Sequence, residues 1–452
     1  MRILFVNHTC GVTSTGRICT DLAKSYEADG HECMVAYARF TVPEDVCRFA
    51  KRMNTHWQIR INALSARIRD NDGLAAKRET RSFIRWAETF DPDIVWLHNL
   101  HGYYINIEIL FAWIKTRPKM QVFWTLHDCW AFTGHCAYFT AANCEKWKHH
   151  CGNCSQKRDY PASYLAENSS RNFDRKRTAF QGIPNMTIIT PSQWLADLVK
   201  QSFLGEYSIE VRHNHINTNI FRPTPSDFRE RYGLQEKIII LGVAGVWSRR
   251  KGLEDLVRLA SMLDERYAMV LVGLTQKQIR RFPMKILGLT RSETLQECAV
   301  VYRSMNGMMY ASTEEKNALC TPKTVSGDFP ADDSQSITHG EVASKPRGVA
   351  IPADVNALYR EITGKSTEST ANKTPISNII LFQKTNSAKE LAEFYTAADY
   401  YVNPTYEDNY PTTNLEALAC GTSVITYDIG GCAETLLQSC SDLMNVIDKE
   451  KE

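Results

Sequence analysis

Short apolar runs alternate along the chain with longer stretches whose apolar positions return every three or four residues. The runs Arg2–Asn7, Glu32–Ala36, Ile94–Leu97, Gln121–Leu126 and Thr187–Thr190 read as buried strands. The helical periodicity lies between them, over Arg17–Ala28, Ile105–Lys115 and Pro191–Gln201. Strand and helix in strict alternation predict an α/β fold, with a parallel sheet covered on both faces.

The rhythm pauses at the polar stretch Val211–Pro223 and then resumes. Strands are expected at Lys237–Val243, Ala268–Val272, Asn378–Phe382, Tyr400–Asn403 and Ser423–Thr426. The economical reading is two Rossmann-like halves, residues 1–205 and 224–452, joined by a linker at 206–223. Ligands of such sheets sit beyond the carboxyl ends of the strands, which places a binding site in the cleft between the halves. From about residue 298 to 377 the periodicity breaks. Its middle, Thr313–Lys345, is rich in Ser, Thr, Asp, Pro and Gly and reads as an insertion in the second half.

Composition narrows the class. The chain has 452 residues, of which 43% are hydrophobic and 23% charged, ordinary values for a globular protein of two or three domains. A formal net charge of +2 argues against nucleic acid as the main partner. No apolar run reaches the roughly 20 residues of a membrane span, and MRILFVN reads as a first strand rather than a signal segment. Fourteen cysteines without a secretion signal fit a reducing cytoplasm.

Five segments carry candidate chemistry. In EDNYPTTNLEALACGTSVIT, Glu407–Thr426, a polar turn enters a small-residue helix. Backbone N–H groups of Thr412, Thr413 and Asn414 at the helix start suit a phosphate, and Glu416 suits vicinal hydroxyls such as those of a ribose. A capped surface helix would give the same pattern. The turn Arg249-Arg250-Lys251-Gly252 follows a strand, and its cations match a diphosphate. The loop Thr9–Arg17 holds Gly11 and Gly16 ahead of a helix, a weak phosphate-loop signal without a GxGxxG or Walker pattern. His98 and His127 fall at strand ends, with His101, Asp128 and Trp130 nearby, where a histidine can donate to a hydroxyl or exchange a proton. Finally, Cys136, Cys144, Cys151 and Cys154 are spaced to hold a structural zinc, with buried free thiols or a redox pair as alternatives.

The order of STGRI, TLHDCW, TPSQWLADL, NTNIFRP, WSRRKGL and EDNYPTTNLEALACGTSVITYDIGG along the chain resembles the GT-B glycosyltransferases of family four. Within that family it is nearest the bacterial exopolysaccharide and colanic-acid type. The resemblance runs from Met1 to about Thr290 and again from Asn378 to about Glu434. It implies a GT-B fold and retaining transfer from a nucleotide diphosphate sugar to a glycan or lipid-linked acceptor, with no metal required for catalysis. It implies roles for Gly16 near the donor phosphate, His127 beside the donor sugar and Lys251 on the diphosphate. Asp408 stands where the family places a glutamate on sugar hydroxyls, Glu416 where it places the ribose ligand, and Asn409 lies in the same loop. The family's partner arginine has no match at Gly245 or Val246, so Arg249 or Arg250 must replace it. The resemblance also implies further helices beyond the segment Gly430–Glu434, a cytoplasmic location at the inner face of a membrane, and peripheral membrane association. A nucleotide-sugar epimerase or a non-catalytic sugar-binding protein of the same fold remains the alternative.

Overall fold

The computed structural model describes residues 1–282, 289–295, 299–304, 348–365, 376 and 378–437. The strands are β1 (Arg2–Val6), β2 (Glu32–Tyr37), β3 (Ala50–Arg52), β4 (Ile94–Leu97), β5 (Gln121–Thr125), β6 (Met186–Thr190) and β7 (Ser208–Val211) in the first lobe. The second lobe has β8 (Ile238–Val243), β9 (Tyr267–Val272), β10 (Leu289–Leu295), β11 (Ala299–Ser304), β12 (Gly348–Ile351), β13 (Asn378–Phe382), β14 (Tyr400–Asn403) and β15 (Ser423–Tyr427). The helices of the first lobe are α1 (Thr13–Ala28), α2 (His56–Arg69), α3 (Lys77–Phe90), α4 (Ile107–Lys115), α5 (Ser169–Phe180) and α6 (Gln193–Lys200). Those of the second are α7 (Phe228–Arg231), α8 (Leu253–Met262), α9 (Gln276–Arg281), α10 (Val355–Thr363), α11 (Ala388–Ala397) and α12 (Thr412–Ala419).

The first sheet is parallel throughout, in the order β3-β2-β1-β4-β5-β6-β7. Alternate residues of β1 feed opposite cores: Leu4 and Val6 pack in one cluster, Ile3 and Phe5 in the other. An apolar residue is therefore wanted at every position, which is why the strand reads as an unbroken run. In the second sheet β13-β9-β8-β14-β15-β12 run parallel, and β10 and β11 add an antiparallel edge beside β13. The strand order reverses between β1 and β4 in the first sheet and between β8 and β14 in the second. The loops leaving the carboxyl ends of those four strands form the crevice where an α/β sheet binds its ligands.

Two sequence expectations need correction here. The stretch 206–223 is not all linker, because β7 pairs with β6 as the last strand of the first sheet, and Ile216 and Phe221 lie in a core of the second lobe. The region 298–377 is not all insertion either. Strand β11 joins β13, β12 pairs with β15, and α10 packs on α8 with Leu358 and Tyr359 buried. Short strands flanked by polar residues have no periodicity long enough to be seen in the sequence, and their hydrogen-bonding partners are distant along it. The stretch Thr313–Lys345 lies outside the described residues.

If α10 is part of the lobe, Leu358→Ala should lower stability by about 2–5 kcal/mol through the cavity it leaves. Chemical denaturation measures this, and a change below about 0.5 kcal/mol, the scale of a surface substitution, would mean that the helix is not packed.

Candidate active site

Strands β8 and β14 are neighbours at the reversal of the second sheet, so the loops that follow them meet. The first loop ends in the tight turn Arg249–Lys251 and the second is Pro404–Pro411. Gly252, with φ +70°, lets the turn rest directly on the Pro404 carbonyl, where a Cβ would collide. Tyr406 N–H and the Thr405 hydroxyl both donate to the Arg250 carbonyl, at 2.8 and 3.2 Å. The Lys251 ammonium pairs with the Asp408 carboxylate. Burial pushes Asp408 up, but Lys251 and Arg250 together hold it below the usual carboxylate range. Of the two candidate arginines, Arg250 turns inward, donating to the Glu407 carbonyl and lying 4.3 Å over the Tyr138 ring. Arg249 is exposed.

Helix α12 starts in this crevice without a side-chain cap. Among the described residues, the Thr412 and Thr413 N–H groups have no partner within the protein and are free for an anion. Asn414 is different and corrects the sequence reading. Its N–H donates to the Pro411 carbonyl at 3.1 Å, and its buried side chain bonds Asn403 and Thr435, each at 2.9 Å. It holds the helix to its sheet and does not face a ligand. Glu416 is buried, accepts from the Tyr395 hydroxyl at 3.1 Å and lies 3.5 Å from the Arg17 guanidinium. Burial raises its pKa to about 7, with Arg17 and Tyr395 opposing.

Glu416, Thr412 and Ala388 of the second lobe and Gly11, Ser14 and Arg17 of the first share one pocket, open to solvent, with a cavity volume of about 140 Å³. Gly16 is not part of its lining. It is buried in α1 against Thr9, whose side chain leaves no room for a Cβ, and Gly11 is the glycine at the pocket.

Across the cleft, the carboxyl ends of β4 and β5 present histidines. His98 Nδ1 and His127 Nε2 are 3.0 Å apart, and burial lowers His127 to about 4, so both rings are neutral near pH 7. His101 Nε2 meets Asp128 at 2.8 Å and its other nitrogen meets the Tyr160 hydroxyl at 2.9 Å. Burial disfavours a charged His101, yet Asp128 outweighs it and raises the imidazole.

The second-lobe loop is also tied to the first lobe and to the stretch that connects the two. Glu407 accepts from Ala141 N–H at 2.8 Å and the Thr140 hydroxyl at 3.1 Å. The Ser192 hydroxyl donates to Asn409 Oδ1 at 2.5 Å, and Asn214 donates to the Tyr410 carbonyl at 3.1 Å. Ser14 and Thr412 hydroxyls are 3.3 Å apart. The Glu434 carboxylate accepts from the Gln193 and Trp194 N–H groups at the start of α6, 2.7 and 2.8 Å away, where a negative charge is favoured. Arg17, Tyr138, Glu407 and Ser192 were not singled out from the sequence as site residues. Arg17 and Ser192 stand inside motifs already noted, STGRI and TPSQWLADL, and those motifs were the available signal.

The cysteine loop does not assemble as expected. Among the described residues no group of three or more His, Cys, Asp or Glu side chains is arranged to hold a metal ion. Cys136, Cys144, Cys151 and Cys154 are all free. Cys136 and Cys154 hydrogen-bond to each other, which draws Cys154 down to about 6, while Cys151 accepts from Gly134 N–H at 3.2 Å.

A family model described as "Glycosyl transferases group 1" matches residues 362–439. The provisionally assigned colanic acid biosynthesis glycosyl transferase WcaC of Escherichia coli K12 is 30% identical over 135 residues, 28% of this chain and 32% of that protein. A D-inositol 3-phosphate glycosyltransferase of Streptomyces bingchenggensis is 39% identical over 56 residues, 12% of each chain. The chain thus aligns with about a third or less of these curated relatives. Solved structures match over nearly its whole length. Sucrose-phosphate synthase from Thermosynechococcus elongatus has a TM-score of 0.54 at 13% identity, covering 99% of this chain and 89% of that one. Anabaena HepE in complex with UDP has 0.51 at 12%, with coverage of 99% and 89%. The lipopolysaccharide-biosynthesis glycosyltransferase WaaG has 0.51 at 13%, with coverage of 99% and 90%. At these identities the likeness establishes the fold.

Glu416 gives the site a pH signature. Its folded pKa of about 7 lies above the unfolded value, so its stabilising contribution is complete below about pH 4.5 and disappears as pH rises through 7. Glu416→Gln should remove that dependence, which amounts to about 3 kcal/mol across the window. The check is the difference in melting temperature between variant and wild type at pH 5 and pH 8. It should shift in the variant's favour at the higher pH, and an unchanged difference would mean that Glu416 is not held in a dry site.

Proposed function

We propose that the chain, with its GT-B fold and a group 1 glycosyltransferase segment in its second lobe, is a family-four-like enzyme that transfers a sugar, with retention, from a nucleoside diphosphate to a glycan or lipid-linked acceptor. The observation that carries this reading is the approach of the loops after β8 and β14, which pairs Lys251 with Asp408 just ahead of the uncapped start of α12, the helix whose Thr412 and Glu416 line a pocket shared with the first lobe. A nucleoside diphosphate sugar has the same sequence of groups: ribose hydroxyls, two phosphates, then sugar hydroxyls.

In this reading Glu416 and Arg17 take the ribose end. The Thr412 and Thr413 N–H groups and Lys251 take the diphosphate. Asp408 accepts from sugar hydroxyls, and Asn409 fixes the loop that carries it. Lys251 is neutralised by Asp408 before the donor arrives, so binding exchanges one anionic partner for another and frees the Asp408 carboxylate for the sugar. As the glycosidic bond breaks, negative charge grows on the leaving diphosphate. Lys251 and the helix start are already oriented towards it, so stabilising that charge needs little reorganisation. Neutral His127 offers a donor or acceptor towards the sugar without adding charge. Arg250 acts on the pocket through the loop it braces, and Arg249 takes no part in this geometry. The acceptor enters from the histidine side of the cleft.

Lys251→Met should lower turnover by about 10²–10³-fold, the scale of removing one oriented electrostatic contact, and, because it strips Asp408 of its cation, should also lower the melting temperature. Asp408→Asn should mainly impair discrimination among donor sugars. A panel of nucleoside diphosphate sugars, read first by thermal stabilisation and then by product formation on glycan acceptors, tests both. A donor that is bound but only interconverted points to an epimerase, and one bound without turnover to a sugar-binding protein. Wild-type turnover in Lys251→Met would refute its assignment to the diphosphate.

A further inference from the structure

Cys136 and Cys154 stand at the two ends of the cysteine loop, yet their side chains hydrogen-bond directly to each other. The two sulfurs differ in access: Cys136 is buried and Cys154 only partly so. Cys154 accepts from the Cys136 S–H and from the Gln156 N–H, donors that favour a thiolate and outweigh its partial burial. On Cys136, the contact with Cys154, burial and the nearby sulfurs all favour the neutral thiol. Cys10, Cys19, Cys129, Cys420 and Cys432 are simply buried, the ordinary fate of a free cysteine. A reachable sulfur with a stabilised anion, touching a buried protonated one, is instead the arrangement of an attacking thiol and a resolving thiol.

The segment between the two sulfurs is part of the first lobe's hold on the second. Tyr138 lies under the Arg250 guanidinium, and Thr140 and Ala141 donate to the Glu407 carboxylate. The backbone fixes the ends of the segment from both sides. Gly134 N–H donates to Cys151 Sγ and Cys154 N–H to the Glu167 carboxylate, each at 3.2 Å. A covalent bond between Cys136 and Cys154 closes residues 136–154 into a ring, and the fold has already met the entropic cost of bringing its ends together.

We propose that Cys136 and Cys154 form a reversible dithiol–disulfide site whose oxidant is a low-molecular-weight disulfide of the glutathione kind. The Cys154 thiolate attacks one sulfur of that disulfide, whose S–S bond breaks; one small thiolate leaves and a mixed disulfide stands on Cys154. Cys136 then attacks Cys154 Sγ, giving its proton to a departing thiolate, and expels the second small thiol. Two protein thiols are oxidised to one disulfide, and one small disulfide is reduced to two thiols. A small dithiol runs the same steps backwards, so in a reducing compartment the bond is transient. The site is separate from the donor pocket and its test uses no nucleotide, so it stands or falls apart from the transfer reading.

The experiment treats the folded full chain with excess glutathione disulfide, blocks the remaining thiols with iodoacetamide and maps every cysteine by peptide mass. In wild type the Cys136 and Cys154 peptides should be joined and free of glutathione, and dithiothreitol should restore both thiols. Cys19, which is fully buried, should stay unmodified throughout, marking the reaction as one of the native fold. Cys136→Ser should stop with a glutathione held on Cys154, and Cys154→Ser should leave Cys136 a free thiol, so the joined species is lost in both. Two unreacted thiols at Cys136 and Cys154 in wild type overturn the proposal, as does a bond from either of them to Cys144 or Cys151. Stoichiometric zinc that shields both thiols until a chelator removes it overturns it in favour of a structural metal.

Discussion

Withdrawing Glu407, Asp408 and Glu416 from water within one short segment is the constraint on which the cleft depends. A buried carboxylate costs several kcal/mol unless charges or donors surround it, and this segment cannot supply them alone. Glu407 takes its donors from Thr140 and Ala141, Asp408 its cation from the turn after β8, and Glu416 its partners from Arg17 and Tyr395. Two of the three therefore draw on the opposite lobe. Satisfying the acids and closing the cleft are the same event, and the closed arrangement leaves the start of α12 facing the pocket.

That coupling sets the charges a ligand meets. Asp408 stays ionised because Lys251 and Arg250 adjoin it, whereas burial raises Glu416 to about 7, with Arg17, partly exposed and 3.5 Å away, offsetting only part of that rise. The histidines opposite are kept neutral by burial, except His101, which Asp128 favours as a cation. The cleft thus has a fixed ion pair ahead of α12 and a titrating acid within that helix. A partner offering hydroxyls to Glu416 supplies donors that favour its ionised form, so its binding releases a proton from this site.

Much of this was legible in the chain. Both-face-buried strands announce themselves as apolar runs, so β1, β4, β5, β8 and β9 stood where the pattern placed them. The topology then explains why two motifs separated by more than 150 residues act together: β8 and β14 flank the reversal in strand order, and their loops share one crevice. What stayed hidden depended on side-chain direction after a bend. Nothing in Arg249-Arg250-Lys251 says which arginine turns inward until Tyr138 and the Glu407 carbonyl are in place. Asn414 looked like a phosphate contact because helix starts attract them, yet the same polarity was needed to join α12 to β14. Gly16 is likewise explained by the close approach of Thr9, a contact that appears only once α1 has folded back on its loop. The four cysteines had plausible metal spacing, but spacing cannot specify whether thiols converge.

The face that α2 turns outward, with Trp57, Ile61, Leu64 and Ile68 exposed, eluded the same reading for an instructive reason. Periodicity identifies an amphipathic helix but not which face meets the protein, and convention assigns the bulky apolar face to the core. Here Ile59 packs on the main core of the lobe and Ala63 and Ala66, whose small size brings the helix close, pack on Tyr103. Tyr103 and Gly102 both donate backbone N–H groups to Asp72, and His101, the next residue back, holds Asp128. Helix α2 therefore packs on a residue two positions from His101, so one short segment carries both a contact of that helix and a member of the histidine cluster.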